Sequence, residues 1–187
     1  MISKNNISYI IKSLFNRPLE TLLYHLSGLM PRNKQLWLFG AQKNEFSCNP
    51  KHFFLHASRD KENRAHCVWV SRDAKTVDNI KKMGFNAVKS GSPFGIWLCL
   101  RARYYFVNSS PKDVSFLLSK RAKIVNLWHG IPLKKIGHDN LRNKRTKRKQ
   151  EETATKKKID RILNPKLSFN YDLILSTSDF VTEYSFK

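Results

Sequence analysis

The chain predicts an α/β domain, a Rossmann-like parallel sheet covered by helices and preceded by amphipathic helices. Three observations carry this. From Leu36 onward, short β-type runs alternate with helical stretches, the pattern of a parallel sheet with helical crossovers. At 187 residues the chain fits one domain of ordinary size, able to bury a substantial core. Its composition, 41% hydrophobic and 26% charged with twelve Phe and four Trp, is that of a folded chain and supplies bulky side chains for that core.

The elements follow in order. Ile7, Ile10, Ile11, Leu14 and Phe15, then Leu19, Leu22, Leu23, Leu26 and Met30, recur at helical spacing, and Pro18 starts a second helix rather than continuing the first. Residues 1–31 therefore form an amphipathic helical segment. The expected role is a layer packed on the domain's own core; the alternative is an interfacial membrane helix helped by Lys4, Lys12 and Arg17. The α/β domain spans residues 32–187. Leu36–Phe39 reads as its first strand, Pro50–Asp60 as a helix with Phe53, Phe54 and Ala57 on one side, and Cys67–Val70 as the second strand. A helix over Thr76–Met83 ends at Gly84, Ala87–Val88 is a brief third strand, and Ser92–Ala102 is a helix with Pro93 near its start. Tyr104–Val107, Ile124–Leu127 and Leu173–Leu175 complete six strands. Ser176, Thr177, Ser178 and Asp179 offer N-caps for a helix beginning near Phe180.

Charge is the most unbalanced feature. Thirty-five basic against fourteen acidic residues leave +21, far more than folding requires, which points to an anionic partner: nucleic acid, acidic lipid or a polyphosphate-type polymer. Between Lys134 and Lys166 thirteen Lys or Arg face four Asp or Glu, so a basic insertion occupies residues 138–168. Its densest part, Lys144–Lys158, holds no aromatic residue, which argues against base-stacking recognition; no specific nucleic acid is expected. The stretch from Arg142 to Lys158 reads either as a solvated surface segment or as a collector of phosphates.

Cys48, Cys67 and Cys99 are odd in number, far apart and without a Cys-x-x-Cys pair, so they read as free thiols in a reducing cytoplasm. His52 and His56 lie one helical turn apart, but no glutamate completes a zinc-site pattern, and no metal is assigned. Neither a Gly-x-Gly-x-x-Gly nor a phosphate-loop motif is present, and no apolar run or signal-type start marks a membrane span or export; the chain is expected to stay in the cytoplasm.

The chemistry concentrates in Asn126–Gly137, Asn-Leu-Trp-His-Gly-Ile-Pro-Leu-Lys-Lys-Ile-Gly. Ile124, Val125 and Leu127 suit a buried strand, and Gly130 and Pro132 end it, so Trp128 and His129 should sit at the carboxyl lip, where open α/β sheets bind ligands. Imidazole, with an ordinary pKa of ~6.5, exchanges a proton near neutral pH, and Lys134 with Lys135 offers fixed positive charge for a phosphate. A base beside an anion site suggests phosphoryl or glycosyl transfer. Gly130 is read as the point where the backbone turns sharply beside the imidazole. Asn49, Asn108 and Ser109 are weaker candidates, and His138 reads as loop.

Trp128-His129-Gly130-x-Pro132-Leu133-Lys134-Lys135-x-Gly137 resembles the signature of the CDP-glycerol glycerophosphotransferases, bacterial enzymes that build teichoic acids and related phosphate-linked capsular polymers. Leu36–Gly40 followed by Asn49, Val68-Trp69-Val70, Arg101–Val107 and Ser176–Phe180 resemble that family in order and spacing. The resemblance implies the amino-terminal, acceptor-side lobe of a GT-B transferase, with the carboxyl-terminal donor-binding domain absent and this chain inactive by itself. It implies His129 as catalytic base, Lys134 and Lys135 on phosphate or else the start of the basic surface, Trp128 stacking on acceptor or walling the loop, and Gly130, Ser176, Ser178 and Asp179 facing the cleft. Asp179 would orient His129 or a substrate hydroxyl, unless it is an ordinary helix cap. Expected partners are a CDP-alditol donor, glycerol or ribitol, an anionic polymer or lipid-linked acceptor, and the inner face of the cell membrane. No cofactor is implied beyond magnesium borrowed through substrate phosphate. The competing classes are a basic nucleic-acid-binding module and a membrane-surface scaffold without catalysis.

Overall fold

The computed structural model describes residues 18–130, 153–176 and 178–185. A helix over residues 18–27 (α1) leads into β1 (Asn33–Phe39), α2 (Cys48–Arg59), β2 (His66–Ser71), α3 (Ala74–Lys82), β3 (Ala87–Lys89), α4 (Pro93–Arg101), β4 (Ala102–Val107) and β5 (Lys123–Asn126). Then come α5 (Ala154–Leu163), α6 (Pro165–Ser168), β6 (Leu173–Ile174) and α7 (Asp179–Ser185). The six strands form one sheet in the order β3-β2-β1-β4-β5-β6, and every pairing is parallel. This is the doubly wound Rossmann-like arrangement that the alternation of elements predicts. Among the described residues the expected elements are present, with ends displaced by up to three residues, as at β1, which begins at Asn33 rather than Leu36.

Both sheet faces are covered, so the central strands are apolar at nearly every position. On β4, Tyr105 and Val107 point into a layer with Leu38, Val70, Leu98, Cys99 and Ile124, while Phe106 points to the other side. That second side is packed with rings. Phe39 stacks on Phe106 with centroids 4.8 Å apart, Phe54 of α2 meets Phe39 edge-on at 5.3 Å, and Phe46 stands edge-on to Trp69 at 4.7 Å. Phe54 and Ala57 are buried, which fixes the inward face of α2 as its periodicity predicts. Large rings in offset or edge contact bury much area with little lost side-chain freedom, and they brace β1, β2 and β4 beneath the carboxyl edge.

The expectation that α1 packs its leucines on the domain core is corrected. Leu19, Leu22, Leu23 and Leu26 are all exposed, Leu19 by 55%, and only Met30, beyond the helix, is half-buried. The attached side of the helix carries Tyr24, His25, Ser27 and Gly28 instead. Tyr24 stacks on Phe116 at 5.0 Å, His25 meets Lys120 Nζ at 2.8 Å, and Gly28 lies so close to Lys120 that an added Cβ would come within 2.6 Å of its Cγ. Periodicity shows that a helix has two faces; it does not say which one the domain uses.

The attachment is completed by Arg32, whose guanidinium donates to the carbonyls of Cys99 (2.6 Å), Ala102 (3.2 Å), Leu118 (2.7 Å) and Lys120 (2.5 Å), and at 3.4 Å to Ser27. The end of α4, the segment before β5 and the end of α1 therefore meet on one planar cation. Its fixed fork of donors suits several carbonyls at once, as a lysine point charge would not. Among the described residues no helix is long and apolar enough to cross a membrane.

Candidate functional site

Strand order places the crevice. β2 and β3 lie to one side of β1, and β4, β5 and β6 to the other, so the chain reverses its winding direction between β1 and β4. The loops leaving the carboxyl ends of those strands must splay apart, and ligands of such sheets bind in the gap. Gly40 to Gln42 leave β1 there, Asn108 to Ser110 leave β4, and Leu127 to Gly130 leave β5.

The β5 loop does not continue along its strand. Trp128 has φ 60°, the left-handed region that a bulky residue adopts only under constraint, and its backbone N–H donates to Oδ1 of Asn126 at 2.9 Å. The sharp turn thus falls two residues earlier than Gly130, where the sequence reading puts it; Gly130 itself has φ 158°, and a Cβ added there would meet nothing within 4 Å. The reason is the Asn126 side chain, which caps the turn before glycine is reached. Nδ2 of Asn49, in the first turn of α2, holds the Leu127 carbonyl at 2.8 Å and fixes the same turn from the other side.

The turn brings His129 to the loop that leaves β4. Its Nδ1 lies 2.9 Å from the carbonyl oxygen of Asn108. A carbonyl only accepts, so Nδ1 carries the hydrogen, and in the neutral ring Nε2 holds the lone pair. The residue is exposed, and its ring lies 4.8 Å from that of the half-buried Trp128, tilted by 38°. An exposed imidazole held by Nδ1, with Nε2 as the proton acceptor, is the arrangement a general base requires.

Behind the imidazole stands a buried polar group that the sequence reading did not single out. Oδ2 of Asp113 accepts from the backbone N–H of Asn108 (3.3 Å), Ser109 (2.9 Å) and Ser110 (3.1 Å). Burial raises the Asp113 carboxyl above its ordinary value, against the pull of those three N–H groups and of the His129 charge. Oδ1 of Asn108 accepts from Gln42 N at 3.0 Å, tying the β4 loop to the β1 loop across the switch point. The hydroxyl of Tyr171 donates to the Ser109 carbonyl; burial first, and then the Asp113 charge, push its pKa to about 12, while the Asn126 amide beside it acts in the opposite direction. Asp113 and Tyr171 are remote from the histidine in sequence and match no short motif, so only folding identifies them.

The other expected site residues lie as follows. Ser178 caps α7, its Oγ accepting from Val181 N at 3.2 Å, so the cap is Ser178 and not Asp179. Asp179 is exposed, and the ring nitrogen contact of His129 goes to Asn108 rather than to it. Oγ of Ser176 donates to the Ser178 carbonyl at 3.0 Å. Lys134, Lys135 and His138, with the basic stretch as far as Glu152 and the amphipathic stretch up to Arg17, lie outside the described residues. His52 and His56 are exposed on α2, and no group of three candidate metal-ligating side chains gathers among the described residues.

A family model described as CDP-Glycerol:Poly(glycerophosphate) glycerophosphotransferase matches residues 22–185. The chain belongs to this glycerophosphotransferase family. A teichoic acid poly(glycerol phosphate) polymerase of Bacillus spizizenii is 27% identical over 144 residues, covering 73% of this chain and 34% of that protein. Two solved structures of the wall teichoic acid polymerase TagF superpose with TM-scores of 0.54 and 0.58 at 17% and 15% identity. The match covers 98% and 96% of this chain and 45% and 42% of theirs, a likeness of fold. The chain thus spans about a third of the length of the curated relative and under half of the solved structures. Within the glycerophosphotransferase fold, the match includes the whole histidine loop and all six strands.

Proposed function

We propose that this chain forms the acceptor-side half of a CDP-glycerol-dependent transferase, with His129 as its general base. Nε2 takes the proton from the terminal hydroxyl of a teichoic-acid or capsular acceptor. The freed oxygen attacks the β-phosphorus of the CDP-alditol, a phosphodiester bond forms, and the bond to the bridging oxygen breaks so that CMP leaves. A neutral alcohol is a poor nucleophile, and a positioned base contributes about 10²–10⁴ in rate. The single observation that carries the reading is the Nδ1 contact of the exposed His129 to the Asn108 carbonyl, which leaves Nε2 as the proton-accepting nitrogen beside the switch point.

Trp128 walls the imidazole and offers a face for an acceptor group. Gly130 is assigned to the substrate side of the imidazole, and Lys134 and Lys135 are assigned to phosphate, whose developing charge is best met by fixed cations in a partly dry cleft. Ser176, Ser178 and Asp179 bound the β6 side. The donor is CDP-glycerol or CDP-ribitol; no cofactor is assigned to this chain, since no ligand cluster among the described residues points to magnesium. The exposed leucine row of α1 supports docking on the cytoplasmic face of a membrane that presents a lipid-linked acceptor.

Transfer of labelled glycerol phosphate from CDP-glycerol to a poly(glycerol phosphate) acceptor tests the reading, with the chain assayed alone and joined to the remaining part of a relative. His129→Ala is expected to lower the rate of whichever form is active by at least about 10²-fold with an unchanged amide spectrum. Transfer near the unsubstituted rate would remove His129 from this role.

A further inference from the structure

We infer that Asp113 is a positioning residue for His129, acting through the carbonyl of Asn108. The inference rests on the reading of His129 as a base and adds a residue to it. The chain of contacts is short and each link is directional. The Asp113 carboxylate gathers three successive N–H groups, those of Asn108, Ser109 and Ser110, into one concave anion cradle. That cradle fixes the peptide plane following Asn108, because the Ser109 N–H and the Asn108 carbonyl belong to the same planar unit. With the N–H aimed at Asp113, the carbonyl must aim the opposite way, toward His129 Nδ1.

Three further contacts brace the same loop. Oδ1 of Asn108 is held by Gln42 N, the Ser109 carbonyl is held by the Tyr171 hydroxyl, and the Asp113 backbone presses on Gly40. A Cβ at Gly40 would lie 2.3 Å from the Asp113 carbonyl oxygen and 2.7 Å from its carbonyl carbon. β1 can leave the sheet under this loop only because residue 40 has no side chain. Asp113 is buried, so its carboxylate is reserved for these backbone donors rather than for solvent or substrate. It touches no reacting atom; what it controls is which nitrogen of His129 bears the hydrogen and where the ring points.

The readout is the tautomer of His129, measured by ¹⁵N shifts of its imidazole in the 187-residue chain along an alkaline pH series, read where the shifts no longer change with pH and the ring is neutral. The unsubstituted chain should show mainly the Nδ1–H form, whereas an unconstrained imidazole side chain prefers Nε2–H. Asp113→Ala is expected to raise the ratio of Nε2–H to Nδ1–H by roughly 2- to 10-fold, the range that a single hydrogen bond commands. Asp113→Glu should recover part of the original ratio if its longer arm regains the cradle. Gly40→Ala gives a second route if Asp113→Ala fails to fold: it keeps the carboxylate but displaces the loop, and should move the ratio in the same direction. A ratio unchanged in folded Asp113→Ala or in folded Gly40→Ala overturns the inference. The base reading fails separately, by retention of transfer in His129→Ala, so a tautomer that responds to Asp113 alongside such retention would sink that reading and leave the positioning role standing.

Discussion

At the scale of single residues, the site is built from asparagines and one buried carboxylate around an exposed ring. Asn126 makes the turn that a tryptophan would otherwise resist, at a cost of about 1–2 kcal/mol for a left-handed non-glycine residue. Asn49 and Asn108 then hold the loop from the two neighbouring elements. Tyr171 provides a pH-dependent test of this packing. Its pKa in the folded chain is about 12, against an ordinary value near 10, because burial and the Asp113 charge disfavour the phenolate. A raised pKa means that the folded state retains the proton longer than the unfolded one. The contribution of Tyr171 is thus fully present below about pH 10 and is lost as pH rises toward 12. Denaturant midpoints measured across that window should fall less steeply in Tyr171→Phe than in the unsubstituted chain. Equal slopes would show that Tyr171 ionises like an exposed tyrosine. The imidazole was legible in the sequence because a proton carrier beside glycine and lysines is chemically conspicuous. Asp113 and Tyr171 were not, since nothing local distinguishes a carboxylate that binds three backbone N–H groups from one that faces water.

Among the elements, the strands and most helices followed from the sequence because apolar period and turn residues agree with one another. Phe53, Phe54 and Ala57 gave the inward side of α2, and Ser92 with Pro93 gave the start of α4, where Ser92 Oγ accepts from Gly95 N at 3.0 Å. The orientation of α1 did not follow. Its row of leucines is the more apolar side, yet the domain holds the helix by Tyr24, Ser27, Gly28 and the carbonyl contacts of Arg32. Arg32 is therefore the element-level test. Arg32→Ala removes a cation shared by several carbonyls and leaves those of Ala102, Leu118 and Lys120 without that donor, so stability should fall by about 2–4 kcal/mol. Arg32→Lys should recover only part of this, because a single ammonium cannot span the same fork. Urea unfolding measures both. A loss under about 0.5 kcal/mol for the alanine variant would mean that the junction is held mainly by the Tyr24–Phe116 stack.

For the whole molecule, two surfaces call for a partner. One is charge: with fourteen acidic residues against thirty-five basic ones, pairs such as Lys123 with Asp172 and Lys166 with Glu20 cannot balance the excess. The other is apolar, with Leu22, Leu26 and Leu29 on and just after α1 and Phe94 and Trp97 on α4 exposed. Basic charge together with exposed leucine and aromatic groups suits a surface of acidic lipid, where burial and electrostatic attraction add. Sedimentation with vesicles containing about 30% anionic lipid should show binding that weakens with salt, as phosphate-directed attraction does. Leu22→Ser combined with Leu26→Ser should reduce it at least about tenfold, as the loss of two buried leucines predicts. Binding unaffected by the double substitution would leave the membrane contact to charge alone.

The order of amino acids was enough to establish the alternation of elements, hence the parallel sheet, and the histidine segment that marks the family, because hydrophobic period and a conspicuous run of residue types are local properties. Folding in three dimensions settled which side of α1 faces the domain, where the loop after β5 turns, and which distant groups hold the imidazole. Those outcomes depend on contacts between residues far apart in the chain, such as His129 with Asn108 and Tyr171 with Ser109, and separation of that kind leaves no periodic trace along the chain.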